Sequence, residues 1–317
     1  MVELERPIGG RDYPRTWSEF LEWFPDEAAC LAFLEGLRWP EGFVCPACGT
    51  AAEPYRATRG RLICPACRHQ ASVGAGTIFD KTRTPLTAWF AAAWYVTNQK
   101  HGVSALGLKG VLGLGSYQTA WTIMHKLRRA MVRPGRDRLS GDVEADETYV
   151  GGPEPGLRGR QTRKKAIVAI AVEIPQPRGF GRARLRRIPD VSGQSLLSFV
   201  RDAVEPGSVI HTDGWRGYNG LPEAGYTRKK TVLSDSGDPA HVSMPAVHRV
   251  ASLLKRWLLG THQGSVGPEQ LDYYLDEFTL RFNRRNSRSR GMLFYRLLEQ
   301  AVVTDPATYG LITRRKL

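Results

Sequence analysis

The chain has 317 residues, of which 42% are hydrophobic, and its 45 Lys and Arg outnumber 31 Asp and Glu to give a formal net charge of +14. This composition supports a sizeable core in two or three units of ordinary domain size and excludes a disordered or low-complexity chain. The basic excess, most of it Arg, indicates a polyanionic partner, with double-stranded DNA as the leading candidate. A basic enzyme without such a partner is the alternative.

The N-terminus and the cysteines indicate the compartment. The first residues are charged where a secretory signal needs an apolar segment, and the longest apolar run, at 86–96, is too short to cross a bilayer. We therefore expect a cytoplasmic protein with no membrane partner. Disulfides seldom persist there, so the four cysteines that stand in two close pairs are interpreted as metal ligands. Cys30, among apolar neighbours, is predicted to be an inert buried thiol.

The first 76 residues predict two short helices and a metal site. Helical spacing of apolar residues runs from Trp17 to Leu37 and is interrupted at Pro25. Two Cys-Pro-Ala-Cys knuckles follow, and they supply the four ligands Cys45, Cys48, Cys64 and Cys67. Four thiolates at this spacing predict a closed, structural Zn²⁺ site. Basic residues around the knuckles could touch DNA, or they could form a solvated face.

A helical region follows, and it predicts a DNA-reading element. A predicted helix is followed by a glycine turn at 113–115 and by a second helix capped by Ser116. This is the layout of a helix-turn-helix, although an ordinary helical hairpin has the same pattern. The predicted DNA contacts of this element are Gln118, Thr119, Lys126, Arg128 and Arg129. The Pro- and Gly-containing run at 133–138 then breaks the pattern and predicts a domain boundary.

The C-terminal half is organised around a strand-like run at 143–152 that contains an acidic cluster. Strand alternation puts Glu144, Asp146 and Thr148 on one face. An edge strand with one face in water would explain the acids without a function. However, two further strands, a helix capped by Ser192 and a fourth strand ending at Asp213 follow in the order of an RNase H-like fold. In an open sheet, a carboxylate at a strand exit faces the ligand crevice.

The two aspartates can then meet on adjacent strands. Close carboxylates repel each other unless a divalent cation such as Mg²⁺ or Mn²⁺ lies between them, which is the arrangement used to polarise a phosphodiester. A predicted helix at 247–257 carries His248 and Lys255 on one face, to within about 20°. His248 is the candidate third group, with a helix-capping histidine as the alternative. Glu277 is a weaker rival because it lies in a buried helical stripe.

These motifs together resemble those of bacterial DDE-class insertion-sequence transposases of the zinc-ribbon, ISXO2-like group. The resemblance covers nearly the whole chain. Besides the two Cys knuckles, it is carried by Asp146-Glu147-Thr148-Tyr149, Gly151-Gly152, His211-Thr212-Asp213-Gly214-Trp215, Ser252-Leu253-Leu254-Lys255-Arg256, Gly260-Thr261-His262 and the group Phe278, Arg281, Phe282, Asn283 and Arg285.

The resemblance implies a multidomain α+β and α/β protein. We expect an N-terminal helical segment (1–40), a zinc ribbon (41–76), a helix-turn-helix region (77–132), a linker (133–141), an RNase H-like catalytic domain with a mixed five-stranded sheet and helices (142–300) and a tail (301–317). It also implies binding of terminal inverted repeats, phosphodiester cleavage at the element ends and transfer of the 3′-OH strands to target DNA with two Mg²⁺ ions. A homo-oligomer on DNA, a nucleoid-associated location and no small-molecule cofactor are further expectations.

Position 248 departs from the pattern of many relatives, which carry Glu or Asn there. Imidazole is a poorer ligand for Mg²⁺ than carboxylate and tolerates Mn²⁺ better, so His248 either ligates weakly or acts on the nucleophile or leaving oxygen. The alternative function is a catalytically weakened, transposase-derived DNA-binding protein or regulator. In either case a basic set is expected to contact DNA phosphates: Lys255, Arg256, Arg281, Arg284, Arg285 and Arg288.

Overall fold

The computed structural model of the chain describes residues 6–152, 154, 165–175, 179–231, 243–264 and 266–313. The described chain forms two compact units, Met1–Arg133 with Ser287–Leu317, and Pro134–Asn286. The polar composition of residues 233–245 predicts a loop, and these residues lie almost entirely outside the described ranges. Within the described ranges, no helix has both the length and the apolar character needed to span a membrane.

The elements are numbered in chain order. The helices are α1 Trp17–Trp23, α2 Glu27–Arg38, α3 Leu86–Asn98, α4 Ala105–Leu112, α5 Tyr117–Arg129, α6 Gly193–Ala203, α7 Pro245–His262, α8 Leu271–Asn283, α9 Arg290–Ala301 and α10 Tyr309–Thr313. The strands are β1 Tyr55–Ala57, β2 Arg61–Ile63, β3 Gln70–Ser72, β4 Asp142–Val150, β5 Ala166–Glu173, β6 Ala183–Ile188, β7 Val209–Thr212 and β8 Thr227–Lys230.

The first unit packs its helices around an aromatic cluster. Asp26, directly after Pro25, caps α2 by accepting from the Ala29 N–H, so the predicted break between two short helices is present. The rings of Phe24 and Phe90 lie 4.7 Å apart, edge to face. Phe294 of α9 is fully buried in the same cluster and contacts Phe24 at 5.8 Å between ring centroids.

Helix α9 therefore belongs to the first unit, although the sequence placed it at the end of a catalytic domain spanning 142–300. The structure begins the second unit at Pro134 and ends it at Asn286. The physical reason is the apolar stripe of α9, which packs against α2 and α3. The predicted break at 133–138 does coincide with the start of the second unit.

The predicted helix, glycine turn and capped helix are also present in the first unit. Gly113 ends α4 in the left-handed conformation, with φ of 61°, which a residue with a Cβ adopts only at a cost. Ser116 then caps α5 by accepting from the Thr119 N–H. Helix α3 packs against both α4 and α5. This helical hairpin has the layout predicted for a helix-turn-helix, and DNA reading by it stays a prediction.

The second unit is built on a five-stranded mixed sheet in the order β6-β5-β4-β7-β8. Strands β4, β5 and β6 form an antiparallel meander, whereas β7 pairs with β4, and β8 with β7, in parallel. A meander whose first strand is flanked by a parallel strand after a helix is the RNase H-like arrangement, so the predicted fold class is confirmed. Strand β8 is short and charged, and no pattern in the sequence indicated its position.

The two faces of this sheet carry different helices. Val143, Ala145 and Ile210 point to one face and pack against Phe199 and Val200 of α6. The opposite face is covered by α7 and α8, whose apolar stripes pack against Val168, Ile170 and Val172 of β5. Strand alternation therefore directs Glu144, Asp146 and Thr148 toward the α7 side of β4.

Candidate active site and metal centre

The four cysteines of the two knuckles converge to form a metal centre. Their sulfur atoms all lie within 4.8 Å of one another, with 3.6 Å between the Sγ atoms of Cys45 and Cys67 and 3.7 Å between those of Cys48 and Cys64. Four sulfurs at about 2.3 Å from a tetrahedral Zn²⁺ would be separated by about 3.8 Å. The sulfur geometry therefore fits a structural zinc ion held by four thiolates.

The backbone prepares this centre. The N–H of Gly49 donates to the carbonyl of Cys45, and the N–H of Arg68 donates to the carbonyl of Cys64, so the two knuckles have the same turn. Gly49 and Arg68 both adopt positive φ, 72° and 62°. Hydrogen bonds with Thr50 lower the pKa of the Cys48 thiol to about 6, which favours the thiolate that binds metal. Cys30, by contrast, is fully buried away from this site, and burial raises its pKa to about 12.

Asp146 lies in β4, and Asp213 directly follows β7, the strand that pairs with β4. The parallel register matches Val143 with Ile210 and Glu144 with His211. Continuing the register by two residues places Asp146 level with Asp213, which directly follows β7, and on the same face. Neighbouring strands are about 4.8 Å apart, and both aspartates are partly exposed. The strand pairing is thus compatible with the predicted juxtaposition of the two carboxylates, which stays a prediction.

Buried Tyr218 lies near several carboxylates at this end of the sheet. The Tyr218 hydroxyl lies 3.4 Å from Glu147 Oε2, and its side chain is 1% exposed. Burial raises the pKa of Tyr218 well above its ordinary value, and the charges of Glu147, Asp146 and Asp213 raise it further. Because three carboxylates act on one hydroxyl, this region of the sheet favours a bound cation.

The exit of β7 is held in place by hydrogen bonds. The N–H of Trp215 donates to Asp213 Oδ1 at 2.9 Å, and Arg228 Nη2 donates to the carbonyl of Asp213 at 3.0 Å. Arg228 Nε also donates to Thr212 Oγ1 at 2.9 Å. The backbone that presents Asp213 is thus fixed from two sides, as a metal ligand requires.

Glu144 connects β4, the strand of Asp146, to α7, the helix of His248. No pattern in the sequence indicates this contact. One carboxylate oxygen, Oε2, accepts the N–H groups of Ala246 and Val247 at 2.7 and 2.9 Å, so Glu144 caps the first turn of α7 from a neighbouring element. Burial raises the pKa of Glu144, and the two amides and the nearby His211 oppose that rise. In the sequence, the only indication that Glu144 belongs near the site is its position two residues before Asp146.

The cap places His248 near the acidic face, since His248 directly follows Val247 in α7. His248 is partly exposed. Within the described part of the chain, however, the knuckle cysteines are the one set of three or more Cys, His, Asp or Glu ligand atoms that all lie within 4.8 Å of one another. Asp146, Asp213 and His248 do not close around a single point. That the three side chains line one site stays a prediction.

Lys255 lies two turns further along α7. Its side chain is exposed. Neighbouring atoms nevertheless exclude part of the water around the ammonium, which lowers the pKa of Lys255, and the positive charge of Lys165 lowers this pKa as well. Lys165 immediately precedes β5, whose first residue pairs with Val150 at the end of β4. Two cations therefore collect near the end of β4, beyond the acidic pair.

The structure separates the predicted DNA-contacting residues of α5. Gln118 is exposed, while Thr119 and Arg129 are partly exposed. Lys126 and Arg128 are only 9% and 2% exposed, and burial lowers the pKa of Lys126. This corrects the prediction for these two cations, because interior packing and not a groove surrounds them. Their charge gave no sign of this in the sequence.

The arginines predicted to contact DNA in α7 and near the end of α8 also differ in their exposure. Arg256, Arg284 and Arg288 are exposed and available to a phosphate backbone. Arg281 is not, because its guanidinium forms an ion pair at 2.7 Å with the fully buried Glu277. This pairing corrects the DNA-contact prediction for Arg281.

The same pairing supports ranking Glu277 below His248. Helix α8 packs on β6, two strands away from β4, and the Glu277 carboxylate is already paired with Arg281.

Arg285 is exposed but has structural contacts. Its Nη1 donates to the carbonyl of Phe282 at 2.7 Å, its Nη2 donates to the carbonyl of Phe180, and its guanidinium lies 4.2 Å from the Phe282 ring centroid. It ties the end of α8 to the turn before β6.

Two domain families match this chain. Residues 138–283 match the ISXO2-like transposase domain, and residues 25–70 match the transposase zinc-ribbon domain, both of the IS1595 type. The two matched segments together make up more than half of the chain, and they coincide with the sheet of the second unit and with the cysteine knuckles.

Individual relatives agree with this. The chain is 29% identical over 281 residues to an uncharacterized protein in transposable element ISH50 of Halobacterium salinarum, covering 81% of this chain and 91% of the relative. It is 24% identical over 116 residues to an uncharacterized transposase-like protein of Haemophilus influenzae, covering 37% of this chain and 93% of that protein.

Among solved structures, the catalytic core domain of BIV integrase is similar at 18% identity and a TM-score of 0.31, covering 47% of this chain and 85% of that one. So low a score adds nothing to the strand order described above. The two domain matches carry the assignment: the chain contains an ISXO2-like transposase domain and a transposase zinc-ribbon domain, both of the IS1595 type.

Proposed function

We propose that this transposase binds the terminal inverted repeats of its element, cleaves the phosphodiester at each end and transfers the freed 3′-OH strands to target DNA, using divalent cations held by Asp146, Asp213 and His248. The supporting observation is the β4–β7 register, which matches Glu144 with His211 and, if it continues for two more residues, would bring the two aspartates level on one face of the sheet. The Glu144 cap at the start of α7 adds the third group from a separate element.

The donor set suits hard divalent cations. Carboxylate oxygens are the ligands that Mg²⁺ and Mn²⁺ prefer, and a pair of ions needs ligands spread over a wider site than one ion does. When bound, such ions lower the pKa of an attacking water or hydroxyl and stabilise charge on the leaving oxygen.

The protein groups have separate tasks in this proposal. The carboxylates of Asp146 and Asp213 supply negative charge at fixed positions, held by β4 and by the hydrogen bonds around the β7 exit. His248 offers one ring nitrogen from the start of α7. Lys255 offers an ammonium to a phosphate near the scissile bond, where a lysine acts as a point charge.

The imidazole at position 248 makes metal preference informative. Because imidazole is a poorer partner than carboxylate for Mg²⁺, we expect cleavage to be faster with Mn²⁺ and the His248→Glu variant to shift the preference toward Mg²⁺. An unchanged preference in that variant would remove His248 from the ligand set while leaving the two aspartates in place.

The test is cleavage of labelled duplexes that carry the element ends, with Mg²⁺ or Mn²⁺ added to the full-length chain. Asp146→Ala and Asp213→Ala should each reduce cleavage to the uncatalysed background without reducing duplex binding. Glu223→Ala is the control, since this exposed acid lies in the segment between β7 and β8, next to residues that pack on the α6 side of the sheet, and should leave cleavage unchanged. Full cleavage by either active-site variant would refute the assignment.

The same assay addresses the alternative of a transposase-derived DNA-binding protein. That alternative is favoured by the histidine that stands in place of a third carboxylate. If the wild-type chain shifts the end duplexes in a binding gel but leaves them intact with both cations, the binding function is the correct one.

A further inference from the structure

A second charged site lies at the edge of the sheet, away from the aspartate pair. Strand β6 is an outer strand of the five-stranded sheet, and a cavity of about 440 Å³ opens beside it, between α6 and α8. Four arginines line it, together with three aspartates. The arginines are Arg136, Arg184, Arg186 and Arg187, and the aspartates are Asp202, Asp272 and Asp276.

Two of these arginines are neutralised by aspartates. Arg186 forms a short ion pair with Asp202 of α6, and Arg187 lies 3.4 Å from Asp272 of α8. Both pairs are partly exposed at the rim of the cavity, where each contributes little to stability. Arg136 feels the negative charge of Asp276, which raises its pKa slightly against the lowering by burial. Four arginines and three aspartates leave one positive charge in excess.

Arg184 carries that excess charge. Its side chain is only 5% exposed, and its guanidinium donates to the carbonyls of Ala183 and Asp137 at 3.1 and 2.5 Å. Within the described part of the chain, no carboxylate forms a hydrogen bond with Arg184, although the charges of Glu173 and Asp137 act on it from nearby. A buried cation whose direct hydrogen bonds are all to carbonyls is costly, and a directly bound anion would lower that cost.

The neighbouring arginine increases that cost. Burial, together with repulsion by Arg136 and Arg182, lowers the pKa of Arg184 to about 10, while the charges of Glu173 and Asp137 oppose this lowering. Arg182 is already engaged with Glu173 at 2.6 Å, whereas Arg136 shares the cavity with Arg184. The two guanidiniums repel each other, and neither forms a hydrogen bond with a carboxylate within the described residues, so an anion bound between them would reduce the repulsion.

We propose that this cavity binds one phosphodiester group of the DNA backbone between Arg136 and Arg184. The single net positive charge of the lining matches the single negative charge of a phosphodiester. Planar guanidinium groups also match the paired oxygens of a phosphate. The inference rests on the proposed function, because it assumes that DNA is the ligand of this chain.

The bound phosphate would not be the scissile one. Strand β5 separates β6 from β4, so two strand spacings, about 10 Å, lie between the cavity strand and the strand of Asp146. The site would therefore hold the DNA strand at a second point, which fixes the register of the scissile phosphate over the acidic face.

The test measures how DNA affinity depends on salt, using the full-length chain, a labelled end duplex and no added divalent cation. Removing one phosphate contact should reduce the slope of log Kd against log salt by about 0.9 between about 50 and 200 mM salt. We expect this reduction, and about threefold to tenfold weaker binding at the lower salt, for Arg136→Gln. Arg201→Gln, an exposed arginine of α6 outside the cavity, is the charge-matched control and should keep the wild-type slope.

Arg184→Lys provides a second variant that keeps the buried charge but loses the two-pronged contact. It should weaken DNA binding while the far-ultraviolet circular dichroism of the chain stays unchanged. If Arg136→Gln instead raises the melting temperature and leaves the salt slope unchanged, the two arginines merely repel each other and the proposal is wrong.

Inorganic phosphate distinguishes a DNA site from a site for free anions. In the free-anion case, inorganic phosphate raises the melting temperature of the wild-type chain but not of Arg136→Gln, with no change in the DNA salt slope. That outcome would overturn the DNA assignment. Cleavage is measured separately, so loss of the slope effect with intact cleavage refutes only this inference, and failure of cleavage with the slope effect present refutes only the proposed chemistry.

Discussion

Replacing Glu144 tests whether a side chain of β4 holds the helix that carries His248. In the wild-type chain one carboxylate oxygen accepts two backbone N–H groups at 2.7 and 2.9 Å, and the side chain is 4% exposed. Glu144→Ala leaves both N–H groups buried without an acceptor. Each such group costs about 1–3 kcal/mol, so the free energy of unfolding should fall by at least about 2 kcal/mol.

Glu144→Gln separates the hydrogen bonds from the charge. The amide oxygen can still accept both N–H groups, so we expect the free energy of unfolding to stay within about 1 kcal/mol of wild type. Cleavage by the Gln variant should likewise exceed cleavage by the Ala variant, because the start of α7 and hence His248 keep their positions.

The pH dependence of stability gives an independent check on the same residue. Burial raises the pKa of Glu144 above 4.5, so the folded chain binds this proton more tightly than the unfolded chain does. The stability contributed by this proton is present below the unfolded value and is lost as the pH rises through the folded value. Glu144→Gln has no such proton, so wild type should lose stability relative to it over that range.

Urea unfolding monitored by circular dichroism measures these differences, and hydrogen exchange of the peptide spanning the start of α7 localises them. Asp202→Asn serves as the control, because this exposed acid should change neither quantity. Equal stability and equal exchange protection in the Ala and Gln variants would refute the capping role of Glu144.

Three further results follow from the structure. Cys64→Ser should abolish stoichiometric zinc binding and unfold the ribbon, since a structural zinc site contributes about 10–16 kcal/mol; metal analysis and a dichroism spectrum check this. Arg68→Gly should raise the melting temperature, because φ of 62° costs a residue with a Cβ about 1 kcal/mol, and Gly49→Ala at φ of 72° should lower it by a similar free energy; the opposite signs would contradict the turn geometry. Glu277→Ala should destabilise the chain by about 3–5 kcal/mol in urea, because it leaves Arg281 without its acid, while the folded fraction keeps its cleavage rate; a fully folded but inactive variant would make Glu277 a third acid.

Local signals in the sequence predicted most of the elements. The break at Pro25, the Ser116 and Ser192 caps and the two cysteine knuckles each act within a few residues, and each is found where it was expected. The order of strands and helices was also sufficient to predict the RNase H-like sheet, because few topologies accommodate a meander followed by a helix and a parallel strand.

Features that depend on distant contacts could not be predicted. Glu144 and Ala246 are far apart in the chain, and no pattern around either residue indicates that they meet. The charges of Lys126 and Arg128 suggested a surface, whereas packing by other helices buries them. Strand β8, Thr227–Lys230, does not alternate apolar and polar residues. It is held in the sheet by pairing with β7 and not by burial of one face, so no pattern in the sequence marks it.

The assignment of α9 to the first unit has a consequence for biosynthesis. Because Phe294 lies in the same aromatic cluster as Phe24, the core around α1 and α2 is complete only after α9 has left the ribosome. The RNase H-like unit, whose residues are contiguous from Pro134 to Asn286, can close earlier. Helices α1 and α2 are thus translated before this unit but complete their core after it, so their aromatic residues stay exposed in the nascent chain for longer.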